Sequence, residues 1–145
     1  MKFAISAVFA VSLFLIAPLA FLMTDNLPPY EYDPSRSYIV PSHTEAGRQI
    51  IVHWYITRIN RVCPGSITRH IVDQQTGLRV SYDPTPSARN LEVEDKYLDR
   101  TFFLPTLITP GMKWYYAEGE YACNPLQRFY PLRVRTPRIS FEVTE

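Results

Sequence analysis

The chain begins with a long apolar run and continues as short segments in which hydrophobic and polar residues alternate. Residues 3–23 carry no charged side chain, and about 20 apolar residues suffice to cross a bilayer as a helix. Lys2 precedes the run and acidic residues follow it, so the positive-inside bias predicts a cytoplasmic N-terminus. We therefore expect a single-pass anchor in the lipid bilayer, with the rest of the chain extracytoplasmic, in the periplasm if the cell is bacterial.

A cleaved secretory signal is the alternative interpretation of this run. Such signals have apolar cores of about 7 to 15 residues and small residues before the cleavage site. Here the run is longer, and the best cleavage candidate, Pro18–Ala20, places proline where a small residue is preferred. The uncleaved anchor is favoured, whereas cleavage would release the remainder as a secreted domain.

The segment that follows, residues 24–47, is rich in proline and tyrosine. Proline removes hydrogen-bond donors and favours extended backbone, so this segment is predicted to be a stiff stalk that ends in a first strand at 37–40. Tyr30, Tyr32 and Tyr38 have two interpretations. In the first they contact the lipid interface, and in the second they pack on the surface of the following domain.

Residues 48–145 have the pattern of β-strands. Ile50, Val52, Trp54 and Ile56 alternate with polar or mixed positions and are predicted to share one face of a strand. Between 83 and 99 the pattern is least regular. Further β-rich segments, separated by turn sequences, lie at 67–72, 78–82, 101–104, 113–123, 130–135 and 138–143. This succession predicts an all-β domain, a single antiparallel sandwich.

Charge and composition exclude several classes of function. The 145 residues carry 15 basic and 14 acidic side chains, for a net charge of +1. Lys2 is the excess base, so the part beyond the apolar run is neutral, and we expect no nucleic-acid binding and no general attraction to anionic lipid. Hydrophobic residues make up 46% of the chain, which is enough for one packed domain.

No grouping of residues indicates a catalytic, metal or cofactor site. His43, His53 and His70 lack the spacing of metal ligands. The chain has neither a Gly-x-Ser-x-Gly motif nor a phosphate-binding glycine loop. An acidic run could serve acid/base chemistry in a small hydrolase, but such runs usually form a solvated face. Its members are Glu92, Glu94, Asp95 and Asp99. We therefore expect a protein that is not an enzyme and binds no cofactor.

One local sequence sharpens the expected fold. Residues 119–123 have the Gly-x-Tyr-x-Cys form, which resembles the F strand of immunoglobulin-like domains. Residues 107–111, followed by Trp114, are similar to the E–F turn of fibronectin type III domains. The resemblance implies an immunoglobulin-like sandwich over residues 37–145, with Tyr121 as its tyrosine corner.

The two cysteines, Cys63 and Cys123, both lie in the part expected outside the cytoplasm. An even cysteine count in an oxidising compartment favours a disulfide, and two buried free thiols are the alternative. The spacing also fits the inter-sheet bridge of the resembled family. Two departures are that Cys63 adjoins a Pro-Gly turn and that no tryptophan follows it until Trp114. The bridge is therefore expected to join turns at one end of the sandwich.

Candidate binding residues lie near these cysteines. Arginine and aromatic side chains are typical of binding hot spots, although Phe129 and Tyr130 could instead begin a core strand. The candidates are Leu126, Arg128, Phe129, Tyr130, Arg58 and Arg61. The size and layout also resemble those of small membrane proteins encoded by phages and prophages. We expect a membrane-anchored interaction module that binds an envelope protein or its own copies; a secreted or structural subunit is the alternative.

Overall fold

The computed structural model describes residues 16, 20, 22–87 and 96–145. The predicted membrane segment, residues 3–23, therefore lies largely outside the described residues, and its described members are helical. Three carboxylates of the acidic run, at positions 92, 94 and 95, also lie outside them. Within the described part of the chain, no helix has the length and apolar character needed to span a membrane.

The described residues form strands joined by turns and one short 3-10 helix. In chain order the elements are β1 (Tyr30–Tyr32), β2 (Tyr38–Val40), β3 (His43–Glu45), β4 (Gln49–Ile59), β5 (Gly65–Asp73), β6 (Arg79–Ser81), β7 (Thr85–Pro86), β8 (Tyr97–Phe103), β9 (Gly111–Tyr121), the 3-10 helix Pro125–Arg128, β10 (Leu132–Arg135) and β11 (Ile139–Thr144). The all-β class predicted from the sequence is confirmed.

The first sheet has four strands and is centred on β4. β8 pairs along one edge of β4, and β1 and β2 share the other edge, all in antiparallel register. The predicted inward face of β4 is confirmed, because Ile50, Val52, Trp54 and Ile56 are each no more than 3% exposed. Alternating β-branched and aromatic residues fit a strand with one buried face.

The second sheet has seven strands and is built around β9. β5 pairs with one edge of β9, while β11 and then β10 pair with the other edge. β6 and β7 share the outer edge of β5. β3 pairs with β11 in parallel, whereas the other pairings among the described strands are antiparallel.

The strand predicted at 37–40 is confirmed as β2, but the rest of the segment predicted as a stalk also contributes to the sheets. β1 and β2 lie on the first sheet and β3 lies on the second. Tyr30 is only 4% exposed, and so it belongs to the core rather than to the lipid interface or the domain surface. Tyr32 is half-buried, and only Tyr38 lies at the surface. Proline favours extended backbone, but extended backbone also suits a sheet edge when apolar side chains such as Ile39 can enter the core.

Both sheets contribute to one core. Trp54 of β4 contacts Tyr32 and Tyr115, with ring centroids 5.5 and 5.9 Å apart. Phe102 of β8 stacks on Tyr115 of β9 at 5.1 Å. Burial raises the pKa of the Tyr115 phenol well above its usual value. These contacts join the first sheet to the second through aromatic side chains.

The strand β9 runs from one end of the domain to the other. Its length of 11 residues places Gly111 and Tyr121 about 34 Å apart at the usual rise per residue. The end near Gly111, here called the hairpin end, contains the β5–β6 turn, where Gly77 has a left-handed backbone with φ +72°. The end near Tyr121, here called the disulfide end, contains both cysteines and the 124–130 loop.

Candidate functional site

Cys63 and Cys123 form a disulfide at one end of the domain, with their Cα atoms 4.9 Å apart. Cys63 lies in the connection from β4 to β5, and Cys123 follows the last residue of β9 by two positions. The bridge therefore joins two connections rather than two strand centres, as the adjoining Pro-Gly turn predicts. It holds the base of the 124–130 loop against the β4–β5 connection, which passes from the first sheet to the second.

The 124–130 loop has an internally hydrogen-bonded backbone. The Asn124 side chain accepts a hydrogen bond from the Gln127 amide at 3.0 Å and thereby caps the 3-10 helix. The Gln127 side chain is 6% exposed and accepts a bond from the Cys123 amide at 2.8 Å. Polar side chains thus satisfy backbone groups that a short turn leaves unpaired, and the loop presents a defined surface.

Residues 22–29, here called the N-terminal strap, are fastened to this loop. The Gln127 side chain donates to the Asp25 carbonyl at 2.8 Å, and the Asn124 side chain donates to the Leu22 carbonyl at 3.2 Å. The Arg61 guanidinium donates to the Asp25 carboxylate at 2.6 Å and also to the Leu27 carbonyl. That arginine bond is the main reason why the pKa of Asp25 lies below its usual value. The residues that follow the apolar run are therefore integral to the disulfide end.

A groove of about 410 Å³ lies between the strap and the loop. Leu22 and Met23 line one side, and Leu126, Tyr130 and Leu132 line the other. Four apolar residues of the strap and the loop are here called the apolar tip: Met23, Phe129 and Tyr130, which are exposed, and Leu126, which is half-buried. Met23 is 69% exposed, Phe129 79% and Tyr130 82%.

The structure brings four of the six predicted binding residues together. Leu126, Arg128, Phe129 and Tyr130 share the loop at the disulfide end. Phe129 and Tyr130 do not begin a core strand, because β10 starts at Leu132 and both rings are exposed.

The two predicted arginines of β4 and its following connection have different environments. Arg61 is paired with Asp25 and has a side chain only 22% exposed, so it stabilises the strap. Arg58 is exposed and lies opposite Glu31 in the β1–β4 register. Neither is among the residues that line the groove.

Tyr121 does not occupy the position of a tyrosine corner. That motif lies near the start of its strand, whereas Tyr121 is the last residue of β9. Its ring lies over Gly119 of the same strand and contacts Tyr30 edge-on at 6.2 Å. Burial raises the pKa of Tyr121 to about 12. The Gly-x-Tyr-x-Cys sequence therefore serves a different packing, in which glycine makes room for the ring.

A surface cluster on the outer face of the first sheet was missed by sequence reasoning. The His53 ring stacks on Tyr38 at 4.6 Å and contacts Tyr97 edge-on at 6.5 Å. Its Nδ1 atom lies 2.6 Å from a carboxylate oxygen of Asp99, the described member of the acidic run. Alternation along β4 places His53 outward, but its partners come from β2 and β8 and have no signal in the local pattern.

The histidines do not converge on a metal site. Nε2 of His43 lies 3.2 Å from a Glu142 carboxylate oxygen, and Nδ1 of His70 lies 2.8 Å from the Ser81 hydroxyl. Across the residues that the structure describes, no group of three or more His, Cys, Asp or Glu side chains could hold a metal ion.

Comparison with models of known protein families finds no match to this chain, and comparison with curated proteins finds no significant relative.

Proposed function

We propose that the protein is a membrane-anchored, extracytoplasmic interaction module without catalytic activity, which binds another envelope protein or a second copy of itself. The observation that carries this proposal is the fastening of the N-terminal strap. The Leu22 carbonyl, at the end of the 21-residue uncharged run, accepts a hydrogen bond from Asn124. An anchor formed by residues 3–23 would therefore enter the domain directly, and the domain would sit close to the bilayer.

The strand order supports an immunoglobulin-like sandwich as the framework of this module. β1, β4 and β8 have the neighbour relationships of strands A, B and E, and β5, β9 and β10–β11 have those of C, F and G. Domains of this architecture often carry recognition on the loops at their two ends. The disulfide supports the extracytoplasmic location, because such bridges persist mainly in oxidising compartments.

We assign the protein partner to the hairpin end. Leu107 is 93% exposed and Leu78 is 70% exposed, and both border a shallow groove of about 100 Å³ together with Val80. This end lies at the opposite end of β9 from the strap. A domain held to the bilayer by the strap would present Leu78 and Leu107 to neighbouring proteins, and exposed apolar patches of this kind are typical of interaction sites.

Intact mass of the protein from membrane and soluble fractions, measured without reductant, tests the anchor. We expect the full-length mass in membranes, lower by two hydrogens than that of the dithiol because of the disulfide. A soluble fragment that lacks the apolar run would instead support the secreted alternative. An unoxidised full-length mass would contradict the extracytoplasmic location.

In-cell photocrosslinking tests the partner surface. A photoreactive amino acid at Leu107 or Leu78 should trap a defined protein adduct, whereas the same group at the exposed Thr101 serves as the matched control on another face. An adduct from the hairpin end alone supports the proposal. If no hairpin-end position gives an adduct, the protein does not act as a module of this kind.

A further inference from the structure

The apolar tip lies beside the point at which the chain leaves the apolar run. Met23, the last residue of that run, and Tyr130 of the loop line the same groove. The described residues 22–24 are helical, and the Thr24 hydroxyl donates to the Ala20 carbonyl at 3.1 Å, as expected within a helix. Because Met23 is the last residue of the run and lines the groove, the groove lies at the level at which an anchor formed by residues 3–23 would end.

We infer that the apolar tip is a membrane-contact surface, in which Phe129, Tyr130 and Leu126 enter the interfacial layer of the same bilayer that holds the anchor. This inference rests on the proposed anchoring. It assigns the disulfide end to lipid and leaves the hairpin end for protein.

The chemistry of the tip fits the lipid interface. Tyrosine, like tryptophan, is enriched where the hydrocarbon core meets the headgroups, because its ring is apolar and its hydroxyl is polar, and Phe129 adds an apolar ring beside Tyr130. Arg128 is exposed next to Phe129 and can reach lipid phosphates. Residues 124–133 contain no acidic side chain that would be repelled by those phosphates.

The hydrogen bonds of the loop make lipid contact a consequence of anchoring. The strap cannot leave the loop without breaking the bonds of Asn124 and Gln127 to Leu22 and Asp25. The Arg61–Asp25 ion pair adds a connection from the β4–β5 side. The loop is therefore held at the level where the chain emerges from the bilayer, and its exposed rings have lipid as their nearest apolar medium.

Tryptophan fluorescence in vesicles of brominated phosphatidylcholine tests this inference on the full-length protein. Phe129→Trp carries the probe at the tip, and Leu107→Trp carries it at the hairpin end. Both positions are highly exposed, so both substitutions should be tolerated, and Tyr130→Trp provides a second tip probe. Emission from Trp54 and Trp114 is removed by subtraction of the parent spectrum. We expect blue-shifted, bromine-quenched emission for the tip probes and unquenched emission for Leu107→Trp.

Flotation of the same vesicles separates failure of the inference from failure of the anchor. If the protein floats and the tip probes are not quenched, the lipid contact is overturned while the anchor stands. If the protein does not float, the proposed anchoring itself fails. Equal quenching at both ends would indicate a domain that lies on its side. A blue shift that occurs only at high protein density would indicate a tip covered by a second copy. Either result overturns the inference.

Discussion

The ammonium group of Lys113 is buried against the carboxylate of Asp73, which lies 40 residues earlier at the end of β5. Lys113 is only 1% exposed. Its remaining acceptors, 3.3 Å away, are the Thr109 hydroxyl and the Pro110 carbonyl. Asp73 also accepts bonds from two backbone amides of the β5–β6 turn. One ion pair thus joins the β5–β6 turn to the turn that precedes β9.

Removing the two partners of this pair should have unequal effects. Asp73→Asn leaves a buried ammonium without its counter-ion, which is costly in a protein interior. Lys113→Met leaves Asp73 with its backbone donors and fills a similar volume. We expect the midpoint of urea unfolding to fall more for Asp73→Asn than for Lys113→Met, and the double variant to fall less than the sum. Equal single effects would contradict this assignment.

The same pair predicts an acid-sensitive stability. Lys113 and the turn amides hold the pKa of Asp73 well below its usual value of 3.8. A carboxyl whose pKa is lower in the folded state contributes stability that is present above the unfolded pKa and is lost as pH falls through the folded pKa. The urea concentration at the midpoint of unfolding should therefore decrease as the pH is lowered below about 4. In Asp73→Asn that loss should be smaller, since the titrating group is absent.

His70 predicts a second dependence at milder pH. Its ring is 4% exposed, and burial lowers its pKa from 6.5, although Glu118 opposes the shift and Arg79 and Arg135 add to it. Between the folded and unfolded pKa values the unfolded chain binds more protons, so stability decreases as pH falls below about 6.5. Urea midpoints measured from pH 7.5 to 5 should show this decrease. His70→Gln should flatten it, and the exposed His43→Gln should retain it.

The disulfide should account for a large part of the stability. In the chain-entropy model, closing a loop over the separation of 60 residues is worth about 4 kcal/mol. We expect a loss of that size in the free energy of unfolding when Cys63 and Cys123 are both replaced by Ala. Reductant should destabilise the parent by a similar amount and leave the double variant unchanged. A reductant effect on the double variant would refute this account.

Gly119 and Gly65 provide a matched pair for the packing of Tyr121. The nearest atoms to a methyl group at Gly119 all belong to the Tyr121 ring, whereas one at Gly65 would overlap both the backbone oxygen of Glu120 and the edge of that ring. Overpacking of this kind costs about 1 to 3 kcal/mol. We expect Tyr121→Leu to relieve part of the loss in Gly119→Ala. It should give no comparable relief in Gly65→Ala, because the backbone oxygen stays in place. Double-mutant cycles in urea measure the difference.

The strap should loosen without global unfolding when Arg61 is replaced. Arg61→Gln removes the charge that pairs with Asp25, and exposed or half-exposed pairs contribute up to about 1 kcal/mol. Hydrogen exchange over residues 22–29 and 122–130 should accelerate while the urea midpoint changes little. Arg58→Gln, on the exposed part of β4, serves as the control. Equal acceleration in both variants would show that the ion pair does not fasten the strap.

Alternation of hydrophobic and polar residues predicted those strands in which each side chain's face, buried or exposed, follows from the strand's own sequence. The strand β4 and its buried face were predicted correctly for this reason. Pairing between strands that are distant in sequence escaped prediction. The partners His53 and Asp99 are 46 residues apart, and Lys113 shows no local sign of its buried environment. Apart from the strand at 37–40, the 24–47 segment was misassigned as a stalk, because proline content predicts extended backbone but not whether a sheet edge is available to it.

The binding loop was only partly predictable. Leu126, Phe129 and Tyr130 are contiguous, so their common location follows from the chain itself. Their exposure depends on where β10 begins, and their nearness to the strap depends on hydrogen bonds from Asn124 and Gln127 to residues about 100 positions away. Distances of this kind become visible only after the strands have been paired.

The parallel pairing of β3 with β11 has a consequence for biosynthesis. His43 of β3 lies opposite Glu142 of β11, so the ribosome completes β3 long before it makes the partner strand. At translation rates of about 5 to 20 residues per second, roughly 5 to 20 seconds pass between the synthesis of β3 and that of β11. During that interval an unpaired strand edge is open to incorrect association. Completion of the second sheet is therefore tied to the emergence of β11, and the domain is predicted to acquire its final protease resistance only late in synthesis.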